Sequence, residues 1–108
     1  MGRANVFRAR DLPDANKQTL TQRNIAWAML ITRLMMVDER LRESMPSDVS
    51  MVVLPSNDPE LYDYNRQLAD ARPGGSEIVL VEVDVRPDQQ LVVRTLRQTG
   101  PAFTYTFS

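Results

Sequence analysis

Two short runs of apolar residues, separated by a segment with helical spacing, dominate the hydrophobic pattern of the chain. The first run covers residues 51–54 and the second covers residues 78–81. Continuous apolar runs of this length are typical of strands that are buried on both faces of a sheet. Between them, Leu61 and Leu68 recur at the spacing of one helix face. The pattern therefore predicts a βαβ unit with two parallel strands and a right-handed crossover.

The helix inside this unit has a marked start. Asp58 as the capping residue with Pro59 at the first helical position is one interpretation, and Asn57 as the cap with Glu60 three residues later is the other. Both begin the helix at the same place. A Pro-Gly-Gly sequence at residues 73–75 predicts its end.

After the second apolar run the pattern changes to alternation. Every second residue from Val79 to Val85 is Val, and the acidic residues Glu82 and Asp84 fall on the other face. A turn at residues 86–90, a strand at 91–96, a second turn at 99–101 and an alternating Phe-Thr-Tyr-Thr-Phe at 103–107 follow. These segments predict antiparallel strands that extend the parallel pair.

The most apolar segment of the chain is an earlier helix. It begins near Thr19 or Thr21, either of which can cap it, and runs to about Val37. Apolar residues cover so much of its circumference that we expect it to be packed on more than one side. Asp38 can cap a further short helical segment up to Ser44, and the pattern leaves open whether the first helix breaks there.

The fold class predicted by these elements is α/β: one βαβ unit whose small mixed sheet is extended by antiparallel C-terminal strands and packed by two main helices. The 108 residues have room for one domain. Within it we expect an N-terminal arm at 1–18, a core with the βαβ unit at 19–85 and C-terminal hairpin strands at 86–108. Val6 and Phe7 in the arm form either a short edge strand or a contact with a neighbouring chain.

Composition excludes several kinds of site. The chain has no cysteine and no histidine, which removes disulfides, Cys/His zinc sites and His-centred triads. Thirteen basic and fourteen acidic residues give no general attraction to nucleic acid. The apolar stretch at 25–37 is too short to span a membrane and too far into the chain for a signal peptide. We therefore expect a cytoplasmic protein without cofactor, metal ion or membrane partner, and no catalytic residue is predicted.

Two blocks of the sequence resemble a small prokaryotic family of unknown function. Leu-Thr-Gln-Arg-Asn at 20–24 precedes the Ala/Leu/Met-rich helix, and Leu-Pro-Ser-Asn-Asp-Pro-Glu-Leu-Tyr-Asp-Tyr-Asn-Arg-Gln-Leu-Ala occupies 54–69. The similarity covers about residues 20–83. It implies a compact α/β domain from a bacterium or archaeon, and it brings no activity with it.

Two asparagines are the first candidates for a site. Asn24 and Asn65 each follow a Leu by one turn on the apolar stripe of a helix. A buried amide without partners costs about 1–3 kcal/mol. We therefore expect each to bond a neighbouring backbone group, the other Asn, or a ligand, and we favour a structural role that fixes the register of the helices.

Ser56, Asn57 and Asp58 follow the first parallel strand, where open α/β sheets bind their ligands, and the helix start offers amides to an anion. No glycine lets a phosphate approach, and Asp58 repels an anion, so helix capping is the favoured role. Asp58, Glu60 and Asp63 are also candidate ligands for Mg²⁺, but acidic residues in a first turn equally stabilise the helix dipole.

Apolar and aromatic residues give candidates for an interface. The residues in question are Trp27, Met35, Met36, Phe103, Tyr105 and Phe107. Each fits either the core or a contact with another subunit, and Trp27, Met35 and Met36 also fit the lining of a hydrophobic ligand pocket, which we favour least. The aromatic tail lacks the basic cluster that would favour stacking on nucleic acid bases. The amount of apolar surface predicts a homo-oligomer, most simply a dimer, or another protein partner.

Three functions follow in order of preference. The first is a non-catalytic interaction or assembly domain. The second is a sensor that binds a small ligand or anion at Ser56 to Asp58. The third is a Mg²⁺-dependent hydrolase that uses acidic residues alone, which requires Asp58 and Glu60 to converge with a third carboxylate.

Overall fold

The computed structural model describes the chain at residues 12–45, 49–71, 77–87, 90–97 and 101–107. Its elements are, in order, α1 (Leu20–Val37), α2 (Glu39–Glu43), β1 (Ser50–Pro55), α3 (Pro59–Asp70), β2 (Ile78–Val85), β3 (Leu91–Arg97) and β4 (Phe103–Phe107). The predicted edge strand or arm at Val6 and Phe7 lies outside the described residues, as does the helix stop at 73–75.

The strands form one four-stranded sheet in the order β1-β2-β3-β4. β1 pairs with β2 in parallel, and the β2–β3 and β3–β4 pairs are antiparallel. The predicted α/β fold class, with one βαβ unit and a mixed sheet extended by antiparallel strands, is confirmed. Among the strands of the described residues, β1 and β4 are the two edges of this sheet.

Local capping explains where α1 begins and ends. The Thr19 hydroxyl accepts a hydrogen bond from the Gln22 amide, and the Gln22 side chain accepts one from the Thr19 amide, which selects Thr19 over Thr21 as the cap. Asp38 has an extended backbone, and its amide still donates to the Leu34 carbonyl. Its side chain then accepts from the amides of the next helix. α1 and α2 are therefore two helices, broken at Asp38.

The core lies between the helices and one face of the sheet. Val79, Val81 and Val83 alternate along β2 and are fully buried, as the period of two predicts. They belong to one cluster with residues of all three helices and all four strands, among them Trp27, Leu34, Leu41, Val53, Leu61, Val93 and Phe107. Both α1 and α3 pack against β1.

The outer side of α1 differs from the expectation. Ile25, Met29 and Met36 are 56%, 68% and 80% exposed, so the residues that the structure describes cover the apolar helix on one side only. Leu68 of α3, which the spacing places in the core, is 50% exposed, and the fully buried residues of this helix are Leu61 and Asn65. None of the helices in the described ranges is long and apolar enough to cross a lipid bilayer.

Candidate functional site

A buried arginine joins α1 to the start of α3. Arg23 is 3% exposed and lies one turn before Trp27 on the buried side of α1. Its Nη1 donates to both carboxylate oxygens of Asp58, at 2.9 and 2.8 Å, and its Nη2 donates to Glu60. Hydrogen bonds to Glu60 and Asp58 raise the pKa of Arg23 above its ordinary value, so the guanidinium stays charged.

Asp58 has two structural roles at once. Besides binding Arg23, its carboxylate accepts a hydrogen bond of 3.1 Å from the Leu61 amide, and Pro59 occupies the first helical position. The cap of α3 is therefore Asp58 and not Asn57. Because Asp58 is 5% exposed and faces a cation, its charge is already balanced within the chain.

The acidic residues of the helix start do not converge as a metal site requires. Asp58 and Glu60 meet at the guanidinium of Arg23, and Asp63 is exposed. Within the described part of the chain, no group of three or more Asp, Glu, His or Cys residues is placed to hold a metal ion. The geometry required for the acid-only hydrolase is therefore missing from these residues.

The two candidate asparagines contact each other. Asn24 Nδ2 donates to Asn65 Oδ1 at 2.9 Å, and Asn65 Nδ2 donates to Asn24 Oδ1 at 2.7 Å. Asn65 Nδ2 also donates to the carbonyl of Val53 in β1, at 2.8 Å. Two of the three partners considered from the sequence are thus present together, and the pair ties α1 and α3 to the outer edge of β1.

A groove opens beside this amide pair. Its volume is about 310 Å³, and uncharged residues line it: Asn24, Ile25, Ala28, Met51, Val52, Val53, Asn65 and Leu68. Met29, one turn after Ile25, and Met36, two turns further along, are exposed on the same face of α1, with Thr32 and Arg33 in the turn between them. We call Ile25, Met29, Met36 and Leu68 the α1–α3 surface.

The three candidates that follow β1, namely Ser56, Asn57 and Asp58, have different surroundings. The Ser56 hydroxyl accepts a hydrogen bond from the Val85 amide at 3.0 Å and donates to Asp84 at 3.3 Å, which ties the end of β1 to β2. Ser56 also lines a cavity of about 290 Å³ on the sheet face opposite the core, together with Tyr62, Glu82, Asp84 and Arg94 among others. Asn57 is exposed, and Asp58 is directed to Arg23.

The interface candidates also divide. Trp27, Tyr105 and Phe107 belong to the core cluster, and the Tyr105 hydroxyl donates to the Arg40 carbonyl at 3.2 Å. Met35 is half-buried against the same cluster. Met36 and Phe103 are the two candidates that remain exposed, at 80% and 45%. These two therefore offer the most exposed apolar surface among the six.

Sequence reasoning missed Arg23. The available signal was an arginine four residues before Trp27 on a stripe that is otherwise apolar. A charged residue at such a position needs an opposite charge, and the two acids that flank Pro59 in the helix start are the obvious partners.

These features define a small α/β domain in which two helices enclose the edge strand of a mixed sheet. Residues 19–96 match a family of unknown function, DUF5647, and the chain belongs to that family. The matched region runs from the cap of α1 into β3 and contains both Arg23 and the asparagine pair. Comparisons with curated proteins and with solved structures find no match.

Proposed function

We propose that the protein is a non-catalytic interaction domain that binds a protein partner through the α1–α3 surface. The observation that carries this proposal is the row of large apolar side chains on the exposed side of α1. Ile25, Met29 and Met36 are each more than half exposed and share one helix face. Single exposed apolar residues are ordinary, but three on one helix face beside a groove are typical of a binding surface.

The groove favours an apolar helix as the bound element. It lies between two helices, and no charged residue lines it. Grooves of this kind take the apolar face of an amphipathic helix, whose anchors recur at three to four residues. The flexible side chains of Met29 and Met36 adapt to anchors of different shape. Asn24 and Asn65 already hydrogen-bond each other, so the bound helix need not supply a polar group to pair with these amides.

A site-specific cross-link identifies the partner. A photoreactive amino acid placed at position 29 should capture a protein in cells that the same group at position 67 does not capture. Gln67 is the matched control because it is exposed on α3 and does not belong to the α1–α3 surface. Equal capture at both positions would contradict the proposal.

The captured protein is then tested with purified components. Met29→Glu should weaken its binding at least about tenfold, because a charge is placed in an apolar contact. Gln67→Glu adds the same charge on the other side of α3 and should leave binding unchanged. Both variants should melt within about 2 °C of the parent chain, since exposed substitutions rarely change stability by more than about 0.5 kcal/mol. Unchanged binding by Met29→Glu would refute the role of the surface.

The cavity beside Ser56 supports a second candidate, binding of a small ligand. Its lining mixes Tyr62 with the charged side chains Glu82, Asp84 and Arg94, and Glu82 and Arg94 form a 3.5 Å ion pair across the strands. A screen of small polar metabolites by thermal shift should then give a ligand that raises the melting temperature. Tyr62→Ala should abolish that shift, whereas Tyr64→Ala, a change on another face of α3, should not.

A further inference from the structure

The edge strands β1 and β4 differ in how well they are protected against pairing with a strand of another chain. At β1, the outward carbonyls of Val53 and Pro55 accept hydrogen bonds from Asn65 and from the Asp58 amide, and Pro55 has no N–H to offer. At β4, the described residues place no strand on the outer side, and the five residues of the strand include no charge and no proline. Natural edge strands usually carry such protection against pairing.

The direction of the free hydrogen-bonding groups of β4 follows from the register. Arg86 donates to the Gln90 carbonyl at 2.9 Å, so this pair is hydrogen-bonded and the pairs alternate from there along β2 and β3. By that alternation Val93 directs its N–H and C=O toward β4, where its partner is Tyr105. Tyr105 therefore bonds back to β3. The groups of its neighbours Thr104 and Thr106 point outward.

The sequence of β4 is its own reverse. Phe103-Thr104-Tyr105-Thr106-Phe107 reads identically in both directions. Antiparallel pairing about a two-fold axis at Tyr105 therefore places each residue opposite a residue of the same type in the second copy. Thr104 then faces Thr106 of the second copy, and these are the residues whose backbone groups point outward. In an antiparallel ladder such pairs exchange two hydrogen bonds each. We infer that two copies of this chain pair through β4 and form a continuous eight-stranded sheet.

The side chains of β4 also favour pairing with a second copy of the chain. Phe103 is 45% exposed although it shares the core face with Tyr105 and Phe107. In the paired sheet it lies directly opposite Phe107 of the second copy, and aromatic cross-strand pairs are among the stabilising ones. On the other face Thr lies opposite Thr. No residue of β4 itself is charged, so no like charges face each other between the two β4 strands.

The dimer is tested by removing one outward N–H. Light scattering should give twice the 12.3-kDa chain mass for the parent chain. Thr104→Pro should give the monomer, because proline removes a hydrogen bond of the proposed contact and none of the β3–β4 ladder. Thr104→Val keeps the N–H and the β-branched shape and should remain dimeric. Circular dichroism should show the same secondary structure for both variants.

A charge-swap pair tests the register without proline. Thr104→Lys with Thr106→Lys sets lysine opposite lysine twice and should give a monomer, whereas Thr104→Lys with Thr106→Glu sets lysine opposite glutamate and should restore the dimer. A parent chain that is still monomeric at about 100 µM would overturn the inference, because this concentration is roughly a thousandfold above the dissociation constant of a tight dimer. Dimerisation of Thr104→Pro or of the double-lysine variant would overturn it equally.

Discussion

At the scale of single residues, the junction of α1 and α3 is held by one cation and two carboxylates in different environments. Asp58 is buried with Arg23, whereas the Glu60 side chain is 69% exposed. An opposite charge has most effect where water is excluded, and a solvated pair contributes little. The two hydrogen-bonded acids should therefore contribute very differently to folding.

Asp58→Ala should lower the free energy of unfolding by about 3–5 kcal/mol, because it leaves a buried cation without its partner and removes the cap of α3. Glu60→Gln keeps a hydrogen-bonding side chain at an exposed position and should cost about 0–1 kcal/mol. Urea unfolding measured by circular dichroism gives both values. Equal losses for the two variants would contradict the difference in burial.

The asparagine pair makes a separate prediction. Asn65→Ala removes the bond to the Val53 carbonyl as well as the bonds to Asn24, and should cost about 1–3 kcal/mol, because a buried carbonyl is left unpaired. Asn24→Ala should cost about 1 kcal/mol. The double variant should cost less than the sum by about 1 kcal/mol, as contacting residues do. Asn57→Ala, an exposed amide, is the control, and strict additivity would show that the pair is not coupled.

The role of a residue could be predicted only where its place in the hydrophobic pattern required it to have a hydrogen-bond partner. A buried amide must find a partner, which pointed to Asn24 and Asn65 before their contact was known. Arg23 was missed since its partners lie 35 and 37 residues away, and no local rule connects them. Ser56 was considered as part of the helix cap or as a ligand contact, and its hydroxyl joins β1 to β2, a contact that depends on strand register.

At the scale of elements, capping hydrogen bonds determine the helix boundaries that the hydrophobic pattern did not define. Thr19 and Thr21 were equal candidates for the start of α1, and the reciprocal bonds with Gln22 select Thr19. Asp38 ends one helix and caps the next. The strands β1 to β4 could be predicted to within a residue or two, since period-two patterns and turns mark them clearly.

Thr19→Ala should lower the free energy of unfolding by about 1 kcal/mol through loss of the N-cap. Thr21→Ala, two residues into the same helix, should change it by only a few tenths of a kcal/mol in the stabilising direction, because alanine is the better helix former. Thermal unfolding of the two variants side by side checks the assignment. A larger loss for Thr21→Ala would place the cap at the wrong residue.

At the scale of the whole molecule, the strand order separates the two proposed surfaces. The α1–α3 surface adjoins β1, and the proposed self-association uses β4 at the opposite edge of the sheet. The burial of the outer side of α1 was expected from its composition, but in the described part of the chain one sheet face and a short α2 leave that side exposed. The exposure of this side could not be predicted from the sequence of α1 alone, because it depends on how much of the rest of the chain packs against the helix.

The separation predicts that the two surfaces act independently and that a dimer presents two partner sites. Met29→Glu should leave the dimer mass unchanged, and Thr104→Pro should leave the affinity for a partner helix in solution unchanged per chain. On a surface densely coated with that helix, the parent dimer should dissociate at least about tenfold more slowly than Thr104→Pro, because its second site rebinds before the first is lost. Surface plasmon resonance at high and low coating density measures this difference. If Thr104→Pro dissociated at the parent rate at both densities, the two sites would not engage together, and the bivalent arrangement would be refuted.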